Sequence, residues 1–332
     1  MKPVKTFLKY AIPLLIAGFL LWLVFRGLNI RELFSRMESA DYRWVFLSMI
    51  FAILSHYLRA YRWTLMLKPI GYDLKATHGF IAIMSGYLGN IALPRLGEVT
   101  RCAVLKKTDG IPLPASFGSV IVERIIDILM LLLVIFLALV LQFGRIGKFF
   151  SELFFNSSAG VSGKFYWWAF IFIIILAILA AFIWARWDRI VHTKMYRKIR
   201  PVIGEVINGF MSIKKVENKP LFFFLTFGIW IFYYLMSYVI IYSFPATSGL
   251  SPLAGLVILM AGGIGMSAPV QGGIGTYHAF VSSALLLYGI AHEDGVLYAT
   301  LMHTSQMVFI LFTGSLCLVI STVLVKKQKK NA

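Results

Sequence analysis

The sequence contains few cysteines, few acidic residues and no long polar segment. Only two of its 332 residues are cysteines, Cys102 and Cys317, which lie far apart in apolar surroundings. They lack the spacing of a zinc or redox motif, so we expect two free thiols. The histidines also lack the spacing of metal ligands, and we predict neither a metal nor a cofactor. Without a long polar segment, no soluble catalytic domain is expected.

Acidic residues are scarce relative to basic ones. The chain has 14 Asp and Glu against 32 Lys and Arg, which gives a formal net charge of +18. Such a surplus can indicate nucleic-acid binding. Here, however, the charges lie in short loops between apolar runs, where they determine topology and contact anionic lipid headgroups. We therefore predict no nucleic-acid partner.

What the chain has in abundance is apolar sequence. Hydrophobic residues make up 59% of it and the mean hydropathy is +0.82. These values exceed those of soluble domains and predict an all-α, polytopic membrane protein. The first apolar run has no small-residue cleavage site, so we interpret it as a retained span rather than a signal peptide. Lysines at positions 2, 5 and 9 precede it and place the N-terminus in the cytoplasm.

The apolar runs predict six full spans, at about 10–26, 43–60, 115–141, 165–185, 221–243 and 297–325. The positive-inside rule puts both termini on the cytoplasmic side of the cell membrane. It also assigns Arg59 and Arg62 to the cytoplasmic end of the second span. After the fourth span, the basic segment 186–219 has the periodicity of an amphipathic helix lying on the inner interface.

Two apolar stretches are too broken for straight helices. If 76–105 were one span, Lys106 and Lys107 would lie outside and every later loop would oppose the positive-inside rule. We therefore predict a cytoplasmic re-entrant hairpin, 76–93 and 95–105, and a second from outside within 253–290. The element order then repeats with opposite orientation. This predicts a single membrane domain, 1–332, as an inverted repeat of about 1–145 and 160–325.

The tip of the first hairpin carries charges at helical spacing. Arg95, Glu98 and Arg101 are three residues apart and would share one face of a helix. They could form an ion-pair row that holds the hairpin, or bind a phosphate through arginine forks. A helix beginning after Gly97 would add backbone N–H donors.

The third span carries a second set of charges. Glu123 and Asp127 are four residues apart, and Arg124 lies between them. Ionisable residues in a span usually face the protein interior. We expect these carboxylates to pair with Arg95 or Arg101, or to form a proton relay.

Three motifs carry a resemblance to a known family: Asn90-x-x-x-Pro94-Arg95-x-Gly97-Glu98-x-x-Arg101, Glu123-Arg124-x-x-Asp127, and Pro269-x-x-Gly272-Gly273-x-Gly275. Together they resemble the lysylphosphatidylglycerol synthase transmembrane region, or flippase-like domain family, over about 10–325. In full-length aminoacyl-phosphatidylglycerol synthases this domain is similar to a lipid translocator, and a cytosolic domain makes the lipid. Too few residues follow the last span for that cytosolic domain. The resemblance therefore implies lipid translocation but not synthase activity, and we predict that the protein is not an enzyme.

Our first functional hypothesis is a membrane lipid translocator that holds a phosphorylated headgroup at the Pro94–Arg101 hairpin. The predicted substrate-binding residues are Asn90, Pro94, Arg95, Gly97, Glu98, Arg101, Glu123, Arg124, Asp127, Pro269, Gly272, Gly273 and Gly275. The expected ligand is a membrane phospholipid or a lipid-linked sugar. One alternative is an intramembrane lipid-modifying enzyme with a carboxylate as acid or base. Another is a non-catalytic subunit of a lipid or glycolipid synthesis system. The protein partners that we consider are a lipid-synthesis enzyme and a second copy of this chain.

Overall fold

The computed structural model describes residues 15, 17–93, 96–145, 216–268 and 270–331, and every regular element among them is helical. Residues 17–25 form an N-terminal helix. The following helices are α1 (Ile30–Glu38), α2 (Tyr42–Leu67), α3 (Ala76–Ala92), α4 (Leu96–Thr108), α5 (Leu113–Leu141), α6 (Lys219–Val239), α7 (Pro252–Ser267), α8 (Thr276–Leu286) and α9 (His292–Asn331). The all-α prediction is confirmed for this part of the chain.

Polar side chains cap the starts of α1 and α2. The Asn29 side chain accepts a hydrogen bond from the Glu32 amide at the start of α1. Asp41 accepts from the amide of Arg43 at the start of α2, and the Arg43 side chain lowers the pKa of this carboxyl by hydrogen bonding. Such caps satisfy amides that the first helical turn leaves unpaired.

Among the described residues, four helical segments are long and apolar enough to cross a membrane: Tyr42–Ile70, Leu113–Leu141, Lys219–Ser243 and His292–Lys326. They correspond to the predicted spans at about 43–60, 115–141, 221–243 and 297–325. Each exceeds the ~20 residues that a hydrocarbon core requires. The predicted span at 10–26 is described only in part, and the one at 165–185 lies outside the described residues, as does 186–215 of the amphipathic segment.

The first predicted hairpin is present as α3 and α4. Its two helices approach so closely that a Cβ on Gly97 would lie 2.3 Å from the carbonyl oxygen of Gly86. The amide of Gly97 donates to Oδ1 of Asn90, at 2.7 Å, and joins the start of α4 to the end of α3. Glycine is required here because any side chain would separate the two backbones.

The second hairpin consists of α7 and α8, joined by a short 3-10 turn at Gln271–Gly273. A Cβ on Gly265 would lie 2.8 Å from Cα of Tyr277, and Thr276 Oγ1 donates to the Gly265 carbonyl at 2.7 Å. The turn requires left-handed backbone, with φ of +56° at Gly272 and +73° at Gly273. Glycine adopts this conformation without strain.

Each hairpin packs against a long helix from the other end of the chain. A Cβ on Gly314 of α9 would lie 2.8 Å from the carbonyl oxygen of Met84 in α3. Likewise, a Cβ on Gly263 of α7 would lie 2.6 Å from the Leu131 side chain in α5. The helices α2 and α6 pack side by side. The single domain with half-repeats of opposite orientation stays a prediction.

The prediction is wrong at the end of α2. The second span was expected to end near residue 60, with Arg59 and Arg62 in the cytoplasm, but the helix continues to Leu67 and buries both arginines. Counting basic residues cannot separate a loop arginine from one that is paired inside the bundle. The partners of these arginines lie on a helix about 60 residues away in the sequence.

Candidate functional site

Two buried arginines of α2 face two carboxylates of α5. Nη2 of Arg62 donates to Oδ1 of Asp127 at 3.0 Å. Nη1 of Arg59 lies 2.9 Å from Oδ2 of Asp127 and also donates to Oε1 of Glu123. The i, i+3 spacing of the arginines and the i, i+4 spacing of the carboxylates put each pair on one helical face. The two faces therefore match across the α2–α5 interface.

A third buried arginine enters from the first hairpin. Nη1 of Arg101, on α4, donates to Oε2 of Glu123 at 2.8 Å. Its guanidinium lies 5.1 Å from the ring centroid of Trp63, a cation–π distance. Nε1 of Trp63 donates in turn to Ser119 Oγ at 2.7 Å, which orients the indole. Glu123 thus connects all three elements, because its two oxygens accept from arginines on α2 and α4.

Glu98 and Arg124 form the exposed rim of this group. Arg124 Nη2 lies 3.5 Å from Glu98 Oε1, and the two side chains are 41% and 21% exposed. We call the seven residues Arg59, Arg62, Glu98, Arg101, Glu123, Arg124 and Asp127 the charge cluster. Its four arginines face three carboxylates, so the ionised cluster carries one surplus positive charge.

Several donors of the charge cluster remain unused. Within the described part of the chain, Nε and Nη2 of Arg101 have no hydrogen-bond partner, although both atoms are buried. The same holds for Nε of Arg59, Arg62 and Arg124. Buried donors normally have acceptors, and those of a charged group are the costliest to leave unpaired.

Aromatic and imidazole rings border the charge cluster on one side. The Arg59 guanidinium lies 5.9 Å from the Tyr233 ring, and the His56 ring lies 4.9 Å from that of Tyr87. His56 Nδ1 is buried and has no partner among the described residues. Nor do those residues include any group of three or more His, Cys, Asp or Glu close enough to hold a metal ion. Cys102 and Cys317 are both free thiols, as predicted.

The structure separates the predicted residues of the first hairpin into two groups. Asn90 and Gly97 hold α3 and α4 together, whereas Glu98 and Arg101 belong to the charge cluster. Pro94 and Arg95 lie outside the described residues. The expected pairing of Glu98 with Arg101 is wrong, because among the described residues Glu98 pairs with Arg124 and Arg101 pairs with Glu123. The part of the row that involves Arg95 stays a prediction. Helix α4 also begins at Leu96, before rather than after Gly97.

The glycines of the second hairpin contact neighbouring helices rather than the charge cluster. His303 Nε2 lies 2.8 Å from the Gly272 carbonyl oxygen and so donates to it, fixing the tip against α9. Cβ atoms on Gly273 and Gly275 would meet Met266 and the N-terminal helix at Leu20. Pro269 lies outside the described residues. The tip of the second hairpin packs against α3 of the first hairpin. None of the described residues of this tip belongs to the charge cluster.

Sequence reasoning missed Arg59 and Arg62 as site residues. A usable signal exists, because Arg59-x-x-Arg62 is followed by Thr64-Leu65-Met66-Leu67, an apolar continuation unlike a cytoplasmic loop. The spacing also complements Glu123-x-x-x-Asp127. Reading both motifs together would have suggested paired helical faces.

Comparison with known proteins gives a consistent result. The chain is 36% identical over 101 residues to the glycosyltransferase AglD of Haloferax volcanii, a match that covers 30% of this chain and 16% of that protein. It is 25% identical over 122 residues to a UPF0104 membrane protein of Methanocaldococcus jannaschii, covering 36% of each. Each of these two matches covers well under half the length of the relative. The family profile described as the lysylphosphatidylglycerol synthase TM region matches residues 10–314. The chain therefore belongs to the lysylphosphatidylglycerol synthase TM region family.

Proposed function

We propose that this protein binds the phosphorylated headgroup of a membrane lipid at the charge cluster and moves that lipid between the two leaflets. The observation that carries the proposal is the buried Arg101. Its Nη1 is occupied by Glu123, while Nε and Nη2 find no acceptor among the described residues. A phosphate supplies several acceptor oxygens in the geometry that a guanidinium fork matches. The surplus positive charge of the cluster favours the same ligand.

The chemistry in the names of the relatives supports a lipid ligand. Lysylphosphatidylglycerol, in the family name, is a phospholipid with a phosphate in its headgroup. The partial relative named as a glycosyltransferase makes a lipid-linked sugar the second substrate class. Both classes combine a phosphate with apolar chains that stay in the bilayer.

We favour transport over catalysis because each carboxylate of the charge cluster is already in an ion pair with an arginine. Both oxygens of Glu123 accept from arginines, and Asp127 accepts from Arg62. A general base needs a lone pair that can reach a substrate proton. Oε2 of Glu98 and Oδ2 of Asp127 have no hydrogen-bond partner among the described residues, so these two carboxylates are the groups that an enzymatic mechanism would use. We also propose that the protein resides in the cell membrane with both termini in the cytoplasm.

A liposome assay tests this function. The purified protein is reconstituted, and headgroup accessibility from outside is followed for phosphatidylglycerol, lysylphosphatidylglycerol and a polyprenyl-phosphate sugar. Arg101→Lys preserves a charge for Glu123 but removes the unused donors, so we expect stable protein and transport slowed by about tenfold or more, the value of one charge-assisted hydrogen bond. The matched control is Arg43→Lys, because that side chain is 90% exposed and belongs to no cluster.

Two outcomes would overturn the proposal. The first is that the unmodified protein moves none of these lipids faster than empty liposomes. The second is that Arg101→Lys transports as fast as the unmodified protein. A change in total lipid composition during the assay would instead favour the enzymatic alternative.

A further inference from the structure

Arg124 occupies an unusual position for an arginine. It is the twelfth residue of α5, about 16 Å along the helix from Leu113 at 1.5 Å per residue. Its side chain is nevertheless 41% exposed, whereas those of Arg59, Arg62 and Arg101 are buried. An exposed charge at this depth in a spanning helix is costly and usually marks a substrate path.

The ion pair of Arg124 with Glu98 leaves both partners incompletely bonded. Their 3.5 Å separation exceeds the roughly 2.7–2.9 Å of a charge-assisted hydrogen bond. In the described structure, Arg124 Nε and Glu98 Oε2 have no hydrogen-bond partner. This pair can therefore exchange one member for an external ion more readily than the buried pairs can.

An apolar groove lies between α4 and α5, close to this pair. It has a volume of about 260 Å³ and is lined by Val99, Cys102, Leu113, Pro114 and Phe117. Glu98 is one helical turn from Cys102 on α4, and Arg124 is two turns from Phe117 on α5. Glu98 therefore adjoins the groove, and its partner Arg124 lies roughly 10 Å farther along α5 than Phe117.

We propose that the α4–α5 groove is the lateral portal through which a phospholipid reaches the charge cluster. The lipid phosphate binds Arg124 as Glu98 separates from it, and an acyl chain of the same lipid lies in the groove. A free anion would account for Arg124 but leave the apolar groove empty, and an apolar helix would fill the groove but supply no acceptor to Nε of Arg124. A phospholipid satisfies both. This inference rests on the proposed function and adds the route by which the lipid enters.

Photocrosslinking tests the portal without measuring transport. The probe is phosphatidylglycerol with a photoreactive group in one acyl chain, placed in vesicles of a phosphate-free glycolipid that contain the full-length protein. A matched probe carries the same chain on the phosphate-free glycolipid. We expect the phosphate-bearing probe to label the groove peptides about tenfold more strongly, as one charge-assisted contact implies.

Three variants sharpen the result. Arg124→Gln should reduce labelling by the phosphate-bearing probe to that of the phosphate-free one. Val99→Trp, at a 53% exposed groove position, should reduce labelling by both probes because it fills the groove. Leu129→Trp is the matched control, since this α5 residue is 51% exposed and outside the groove. It should leave the labelling unchanged.

The proposal fails if both probes label the groove equally, or if Arg124→Gln leaves the preference intact. It also fails if inorganic phosphate raises the thermal stability of the unmodified protein but not of Arg124→Gln, while no acyl chain is crosslinked. The site would then bind a free anion. A protein that transports lipid without selective labelling refutes the portal alone. Selective labelling without transport refutes only translocation.

Discussion

Glu123 is the residue on which the buried charges depend. It accepts from Arg59 on α2 and from Arg101 on α4, so one carboxylate compensates charges on two other helices. A buried charge that loses its partner is strongly destabilising, because desolvation is then uncompensated. The contribution of Glu123 to stability should therefore greatly exceed that of a surface ion pair.

We predict that Glu123→Gln lowers the stability of the protein by about 3–5 kcal/mol, because two buried arginines lose their shared counter-ion while the side-chain shape is preserved. Thermal unfolding in detergent can be followed with a thiol-reactive dye, since both free cysteines are buried. The control is Glu217→Gln, which removes an exposed pair with Lys68 and should leave the transition unchanged. Equal shifts for the two variants would contradict this account.

At the scale of elements, the first hairpin depends on the close approach of two backbones. Gly86 and Gly89 of α3 face Gly97 and Thr100 of α4, and Asn90 joins the two ends by a hydrogen bond. This packing places Arg101 toward α5 rather than toward lipid. The hairpin is therefore the scaffold that positions one side of the charge cluster.

We predict that Gly97→Ala prevents normal closure of the hairpin. The new methyl would lie 2.3 Å from a backbone oxygen, which cannot move aside without shifting α3. Overpacking of this kind typically costs about 1–3 kcal/mol, and more where backbone must move. Gly118→Ala is the matched control, because it lies within α5 with open space around its Cβ position. Alanine should be neutral or mildly stabilising there.

Unfolding temperature and the monodisperse fraction after purification measure both glycine variants. If Gly97→Ala is as stable as Gly118→Ala, the helices of this hairpin do not pack as described. Retained stability with weakened lipid transport would instead assign Gly97 to the substrate path.

At the scale of the molecule, each hairpin packs against a long helix from the other half of the chain. The first packs on α9 and the second on α5, while α2 and α6 pair alongside. In each part, a long helix is followed by a helical hairpin and then by another long helix. This order is what an inverted repeat requires, and the orientation of the halves is open to direct measurement.

We predict that Lys107 and Glu293 lie on opposite sides of the membrane. Three predicted spans, at about 115–141, 165–185 and 221–243, separate the two residues, and the second hairpin returns to the side from which it enters. Single cysteines at these exposed positions, in a background without Cys102 and Cys317, should be labelled from the cytoplasm and from outside, respectively. Glu293 is preferable to its neighbour Asp294, which pairs with Arg36. Detergent should expose both sites and provides the control. Labelling of both from one side would exclude the inverted repeat.

The class of the protein and most of its described helices could be predicted from the amino-acid sequence alone. Apolar runs of more than 20 residues require spanning helices, and Gly97 and Gly265 lie where local breakers had predicted hairpins. These features depend on neighbouring residues, so they can be inferred locally. The motifs at 90–101, 123–127 and 269–275 likewise indicated the family, which the match over 10–314 confirms.

The pairing of the charges, in contrast, depends on tertiary contacts. In the sequence, Arg59 and Arg62 have the pattern of topology signals, but in the fold they face carboxylates of α5. Similarly, Glu98 pairs with Arg124 on α5 rather than with Arg101 on its own helix. Helical spacing shows which residues share a face, but not which face meets which helix. That choice depends on packing between segments far apart in sequence. Because an arginine is stable inside a membrane only opposite a counter-ion, the site itself was determined by tertiary contacts.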